Sequence, residues 1–330
     1  MKRRTSYIYP SLLAVAVLAL TACDNSTGVE QNGGNNFCTN SVGSAINLSG
    51  IHFPDMEEGW AIGVCGNIIH TANRGESWDL QESGTEETLQ AVHFADNRTG
   101  WAVGYLDHIL YTNSGGLSWE EQETGTDLTL QGLSFTDTRT GWAVGWAGLI
   151  LHTSDGGENW EEQDSGTSAD LNDILFTGPD NGWAVGSSGL ILHTEDGGEN
   201  WEEQDSGRTE NLSTLYFTDS QRGWIIGNSG TILHTTNGGA SWQEQETSLS
   251  SDLNDIQFTD SDTGWIVGNH DTILYTDNGG ASWQFQDLPV LEVMFTGVHF
   301  TDSQTGWVVG SFGIMMHTED AGENWEIKTN

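Results

Sequence analysis

Two columns of tryptophan run through this chain in step. The first, each member preceded by Gly, falls at Trp60, Trp101, Trp142, Trp183, Trp224, Trp265 and Trp307, so the steps are 41, 41, 41, 41, 41 and 42 residues. The second falls at Trp78, Trp119, Trp160, Trp201, Trp242, Trp283 and Trp325. Together they use 14 of the 15 tryptophans, and only Trp146 stands outside both. The chain is therefore seven copies of one unit from near residue 46 to its end. A period of about 40 residues with several short strands per period marks a propeller blade or a β-solenoid.

The fourth copy, residues 171–211, shows how the unit is built. Leu171, Ile174 and Phe176 mark a first strand, Trp183, Ala184 and Val185 a second, residues 191–194 a third and 201–204 a fourth, with Gly and Asp clusters between them. Such a four-stranded meander cannot bury both faces alone, so neighbouring copies must cover it. A ring of seven sheets does this and leaves only short edges, whereas an open solenoid needs polar capping units that the sequence does not show. The expected fold is all-β, a seven-bladed propeller over 46–330. The first copy opens with its innermost strand and the last ends with its outermost, so each blade is contiguous in sequence and closure falls to packing and cross-links.

The turn between the third and fourth strands carries a T-x-[D/N]-x-G-x-[S/N]-W pattern, for example Thr153, Asp155, Gly157, Asn159, Trp160, then Thr194, Asp196, Gly198, Asn200, Trp201. Its acidic or amide position is held by Asn73, Asp155, Asp196, Asn237, Asn278 and Asp320. An Asx side chain bonds the backbone of its own turn, and Gly supplies positive φ. The second copy has Ser114 at the Asx position and the seventh has Ala321 where most have Gly, so looser turns are expected there. This pattern resembles the Asp-box, or BNR, repeat of sialidases, xyloglucanases and the photosystem II assembly and stability factor family. The fuller unit, GWAVG then GxILHT then DGGENW, resembles the last of these most closely, over about 46–330. That resemblance implies a non-enzymatic propeller that binds a protein client, and members of the family are reported to meet theirs through a basic arginine surface.

Residues 1–22 combine Lys2, Arg3 and Arg4 with an apolar run at 12–20, too short to span a bilayer. They read as an export signal, and the Leu-Thr-Ala-Cys that follows resembles a bacterial lipobox, with Cys23 as the lipidated first residue. Asp24 resembles an inner-membrane retention signal in enterobacterial sorting, while other bacterial groups read that position differently. Residues 23–45 form a lipidated, flexible tether rich in Gly, Asn and Ser. The expected location is a bacterial membrane, on the periplasmic or cell-surface side. Cys38 and Cys65 are expected to form a disulfide, as a lone pair in an exported chain usually does; two free thiols are the alternative.

Removing residues 1–22 leaves six Lys and Arg against 48 Asp and Glu, a net charge of −42. That charge disfavours nucleic acid and anionic lipid headgroups as partners. Salt adaptation with solvated acidic surfaces is the simplest reading; a basic protein partner or bound cations are the others. Contact with the membrane is expected only through the N-terminal lipid, and the chain is expected to be a monomer.

Positions identical in every copy are explained by the blade. The ILHT histidines, His70, His152, His193, His234 and His317, are replaced by Tyr111 and Tyr275 in the other two copies and need no metal. The Glu pairs after the second Trp, such as Glu161 with Glu162, read as solvated outer-strand residues. Sites belong where copies differ and loops converge, on the face carrying the loops between second and third strands. There the chain offers Tyr105, Trp146 and Phe312 as an aromatic platform for a peptide or a sugar ring. It also offers Asp107 with His108, and His270 with Asp271, as metal-binding or acid–base pairs.

Neither a nucleophile motif nor an arginine cluster of the sialidase kind is present: Arg98, Arg139 and Arg222 recur just before the Gly-Trp pair, on the opposite face. No cofactor, metal or catalytic residue is assigned, and the chain is expected not to be an enzyme. The leading expectation is a lipid-anchored, protein-binding scaffold or assembly factor for an envelope or membrane protein, without the basic surface of the family it resembles. A glycan-binding or glycan-cleaving Asp-box propeller is the alternative.

Overall fold

In the fourth copy the chain runs Leu171–Phe176, Gly182–Gly186, Ile191–Thr194 and Glu202–Gln204, each strand antiparallel to the one before. The computed structural model describes residues 47–245, 247 and 249–328, and within them seven such sheets, each of four consecutive strands, follow one another. The seventh inner strand, Phe295–Phe300, packs beside the first, Leu48–His52, which closes the ring. No strand is exchanged at the closure. The proposed signal, tether, Cys23 and Cys38 lie outside the described residues. Cys65 is disulfide-bonded.

What holds one blade to the next is aromatic. Trp142, fully buried, stacks on Phe176 of the following blade with centroids 3.5 Å apart and planes 8° from parallel. Trp201 of that blade meets the same Phe edge-on at 5.9 Å. His152 covers the other face of Trp142 at 4.9 Å. Offset stacks and edge-to-face contacts are the two favoured aromatic geometries, each worth about 0.5–1.5 kcal/mol beyond area burial. The repeated His therefore packs on Trp, and Tyr111 and Tyr275 do the same on Trp101 and Trp265. The Gly of the Gly-Trp pair also has a cause: a Cβ on Gly182 would sit 2.4 Å from the Phe176 ring.

A hydrogen-bonded latch runs beside five of the seven stacks; at the sixth junction the buried Nε1 of Trp325 has no partner among the described residues. Gln163 Nε2 donates to Gly197 O of the next blade at 3.0 Å, and Trp201 Nε1 donates to Gln163 Oε1 at 3.4 Å. The Trp half of this latch recurs at five successive junctions, through Trp119, Trp160, Trp201, Trp242 and Trp283. At the closure Lys328 takes the Gln position, and the buried Nε1 of Trp78 has no partner among the described residues. The closure keeps bonds that other junctions also have: Thr296 Oγ1 donates to Leu48 O at 2.8 Å, as Asn172 does to Leu212 O, and Phe312 N donates to Asn47 Oδ1 at 2.8 Å, as Ser188 N does to Asn211 Oδ1.

The Asp-box turns share one network. Thr194 Oγ1 donates to Asp196 Oδ1 and accepts from Gly198 N, and Asp196 Oδ1 accepts from Asn200 N. The turn at Ser114 keeps this pattern, with Gly116 N on Thr112 Oγ1 at 3.0 Å and Ser118 N on Ser114 Oγ at 3.2 Å. The turn at Ala321 keeps it too, with Ala321 held at φ +61. The Ser114 turn is looser, with side-chain bonds of 3.2 to 3.4 Å where Asp196 has 2.7 to 2.9 Å, because one hydroxyl stands in for two carboxylate oxygens; the Ala321 turn is not, keeping bonds of 2.7 to 2.9 Å.

Inner strands line a central channel, where their unpaired N–H groups would lack partners. Side chains from the preceding blade supply them: His52 Nδ1 accepts from Phe94 N at 3.3 Å, Ser134 Oγ from Phe176 N at 3.1 Å, and Asp255 Oδ2 from Val298 N at 2.8 Å. A one-residue register shift in each inner strand, as between Leu171 and Asp173, turns Asn172 across to donate to Leu212 O at 2.7 Å.

Candidate functional site

The loops between second and third strands, and the connections between blades, all leave the ring on one face; the Asp-box turns leave on the other. In five copies each of these loops is a three-residue turn whose middle residue sits at positive φ, followed by Gly: Cys65, Ala147, Ser188, Ser229 and Phe312. The second and sixth copies put Asp107 and Asp271 where the others have Gly, so two consecutive residues, Leu106 with Asp107 and His270 with Asp271, are left-handed. Asp is among the few side chains that adopt this conformation readily.

Those two aspartates are committed to their loops. Asp107 Oδ2 accepts from Thr124 Oγ1 at 3.2 Å. His108 Nδ1 lies 2.6 Å from Glu121 Oε1, an ion-pair contact rather than a well-aligned hydrogen bond. Asp271 Oδ2 accepts from Leu291 N and Glu292 N, and Oδ1 from Val293 N, all at 2.9 Å. Burial pulls the Asp271 carboxyl upward, but these N–H groups, with the charge of His270, outweigh it and hold the pKa below the usual carboxylate range. Asp271 thus organises backbone and Asp107 holds a threonine hydroxyl, each in the connection that follows its blade, and neither is joined to its neighbouring His as an acid–base pair. Among the described residues no group of three or more His, Cys, Asp or Glu is arranged to hold a metal ion.

The three loop aromatics divide. Tyr105 and Trp146, on adjacent blades, stand with centroids 6.4 Å apart and planes tilted by 49°. Both are exposed, as is Leu106, the residue after Tyr105. The pair makes a wedge rather than one flat platform. Phe312 is 65% exposed but belongs to the seventh blade, with the first blade between it and Tyr105, and it makes no ring contact with either. On the opposite face, Arg98 and Arg139 occupy one turn position and Arg222 the next, their N–H groups bonded to Asp96, Asp137 and Asp219. Arg74 pairs with Glu57 and Arg208 with Glu244.

One part of the loop face gives no strong sign at the level of single motifs. Val290 and Met294, 85% and 49% exposed, border a cleft of about 660 Å³ shared with Asn269, His270, Asp271, Glu292 and Val293. One signal for it in the sequence is the 42-residue step of the first Trp column, which records one additional residue in the connection between sixth and seventh blades.

Deep in the channel lie three imidazoles and two carboxyls that carry no loop function. His52 stacks on His93 at 5.0 Å and meets His299 edge-on at 5.2 Å. Burial lowers His93 and His299 to about 4, and burial with the neighbouring imidazoles holds His52 well below its usual value. Burial raises Asp173 to about 6 against the bonds from Thr214, Ile174 N and Leu215 N, and raises Asp255 to about 7 with help from the Asp173 charge. These groups lie far inside the molecule yet keep some accessible surface on the lumen, so their desolvation is incomplete.

A ring of seven Asp-box blades, with exposed aromatics on its variable-loop face, defines a BNR-repeat β-propeller. More narrowly, the chain belongs to the family described as photosynthesis system II assembly factor YCF48, whose model matches residues 72–166, 160–254 and 240–329. Its fold is similar to that of YCF48 bound to D1 peptide, at 23% identity and TM-score 0.70 over 84% of this chain and 94% of that one. It is also similar to YCF48 from Cyanidioschyzon merolae, at 19% identity and TM-score 0.71 over 84% and 96%. A GH74 enzyme of Niastella koreensis shares the fold at 12% identity and TM-score 0.74, over 86% of this chain and 54% of the enzyme. No curated protein matches the sequence significantly.

Proposed function

We propose that this protein is a non-enzymatic propeller, exported and lipid-anchored through Cys23, that binds a protein client as a scaffold or assembly factor at the cell envelope. Family membership and a similar propeller described as YCF48 bound to D1 peptide support protein binding. The observation that carries the reading on this chain is the exposed wedge of Tyr105, Leu106 and Trp146 on the variable-loop face. Exposed aromatics of this kind are the usual anchors of protein interfaces. The five propeller arginines are dispersed, with Arg98, Arg139 and Arg222 held at separate turns of the opposite face, so the client is met through apolar contact and acidic charge.

The test is a crosslinking pull-down from native membranes at the host's own salt, comparing the protein with a Tyr105→Ala, Trp146→Ala double variant. Defined protein subunits lost in the variant support the proposal. Recovery of polysaccharide or peptidoglycan alone would replace it with the glycan-binding reading.

A further inference from the structure

The connection between the sixth and seventh blades is unlike the other five. Those read ESGTEET, ETGTDLT, DSGTSAD, DSGRTEN and ETSLSSD, with no more than one apolar side chain beyond Gly in each, whereas residues 287–294 read DLPVLEVM. The structure shows where its apolar side chains go. Val293 is buried, and Leu288 and Leu291 pack against the core beside Phe295 and Trp265. Val290 and Met294 face outward. Asp271 fixes this arrangement from beneath with its three N–H bonds, and Glu292 is held at φ +57 at the rim. Met294 is tied at both ends, its N to Ser311 Oγ at 3.0 Å and its O to Ser311 N at 2.9 Å. The result is a rigid backbone presenting two apolar side chains to a cleft of about 660 Å³, a volume in the ordinary range for a binding pocket.

Charge selects the occupant. Between Arg222 and Lys328 there is no Lys or Arg, so apart from the His270 imidazole the sixth blade and this connection are acid and neutral surface. An anionic peptide, a nucleic acid or an acidic lipid surface is repelled from such a field, and so is a second copy of a chain with net charge −39. We propose that this cleft is a docking site for a cationic, apolar peptide segment, in which a Leu- or Phe-sized side chain lies between Val290 and Met294 and an adjacent Lys or Arg meets Glu292. Met is suited to this because its flexible, polarisable side chain adapts to more than one apolar partner. The proposal rests on the protein-binding reading and adds a second contact to the same face, several blades away from Tyr105 and Trp146.

The experiment is fluorescence anisotropy on the full chain in mild detergent, with a dye-labelled decapeptide that alternates Lys with Leu and Phe. Two companions replace its Lys by Glu, or its Leu and Phe by Ser. The expected result is that the Lys–Leu/Phe peptide binds and that each companion is weaker by about tenfold or more. Val290→Ser with Met294→Ser weakens binding by about tenfold, and Glu292→Lys also weakens it. Leu117→Ala, an exposed substitution in an Asp-box turn on the opposite face, leaves the affinity unchanged. Because Val290, Met294 and Glu292 are exposed, unaltered melting temperatures confirm that the variants fold.

Equal binding of the Ser-substituted peptide, preference for the Glu peptide, or no effect of the Val290 and Met294 substitutions overturns the proposal. So does self-association abolished by those substitutions, which would make a second copy the occupant. Failure here with a client still captured through the Tyr105–Trp146 wedge removes the cleft and leaves the protein-binding reading standing.

Discussion

Trp307 and Phe53 face each other across the closure of the ring with centroids 6.3 Å apart, whereas the same pair at the other six junctions lies 3.5 to 3.9 Å apart. The closure also lacks the Gln latch, since Lys328 stands in its place and leaves Trp78 Nε1 without a partner among the described residues. A propeller opens where one junction is weaker than the rest, so this seam sets the stability of the ring.

Lys328→Gln should therefore stabilise the protein. A recovered hydrogen bond to a buried indole is worth about 1 kcal/mol, or roughly 2 °C in melting temperature for a domain this size. Gln163→Ala should do the reverse at an intact junction, losing bonds to Gly197 O and Trp201 Nε1 and costing about 1–3 kcal/mol. Thermal melts at one fixed salt concentration check both. A lower melting temperature for Lys328→Gln contradicts the account of the seam.

Gly182→Ala tests why Gly precedes each first-column Trp. The added methyl would meet Phe176 at 2.4 Å, and that ring cannot retreat because Trp142 lies 3.5 Å behind it. Overpacking of this kind costs about 1–3 kcal/mol. Urea unfolding should show a reduced midpoint with an unchanged slope. A neutral substitution would mean that the stack yields more easily than its geometry implies.

The channel carries opposed pH dependences. Asp255, raised in the folded state to about 7, contributes stability that is fully present below its unfolded pKa near 4 and is lost as pH rises through 7. Asp255→Asn should thus match the parent at pH 4 and exceed it at pH 8, by up to about 4 kcal/mol. His93, lowered to about 4, contributes stability fully present above about pH 6.5 and lost as pH falls through 4. His93→Gln should flatten that acid limb. Melting temperatures from pH 4 to 8 read both, and an Asp255→Asn gain independent of pH would remove the buried-carboxylate explanation.

Asp271→Ala should leave global stability nearly unchanged while releasing residues 287–294, because its three bonds hold a surface connection rather than the core. Hydrogen exchange should show faster exchange at Leu291, Glu292 and Val293 and unchanged rates at Trp265 and Phe300. Unaltered exchange at all of them would show that the connection is ordered by its apolar packing alone.

The seven blades were legible because Trp142, Asp155 and Trp160 recur with every copy, and recurrence needs no knowledge of contacts. The partners of those residues were not legible. Phe176 serves Trp142 from 34 residues ahead, in another blade, and Gln163 in an exposed outer strand reads as merely solvated until the neighbouring Asp-box turn is set beside it. Tyr105 and Trp146 were expected together and meet because their blades adjoin; Phe312 was grouped with them and stands apart because a loop position says nothing of distance around the ring. Asp107 and Asp271 read as site residues beside His108 and His270; in the structure both replace a turn Gly and accept bonds from the connection that follows their blade. The cleft at Val290 and Met294 was signalled by a single extra residue in the Trp spacing and by the apolar residues of DLPVLEVM, neither of which belongs to the repeated pattern.

The most direct test of the central claim is site-specific photo-crosslinking in native membranes, with a photoreactive residue placed at Leu106 or at Leu117. Both positions are exposed, the first beside the Tyr105–Trp146 wedge and the second at 89% exposure in an Asp-box turn on the opposite face. The account predicts crosslinks from position 106 to one or a few defined envelope proteins, and none to those proteins from position 117. Equal capture from both positions, or capture from 117 alone, would contradict it.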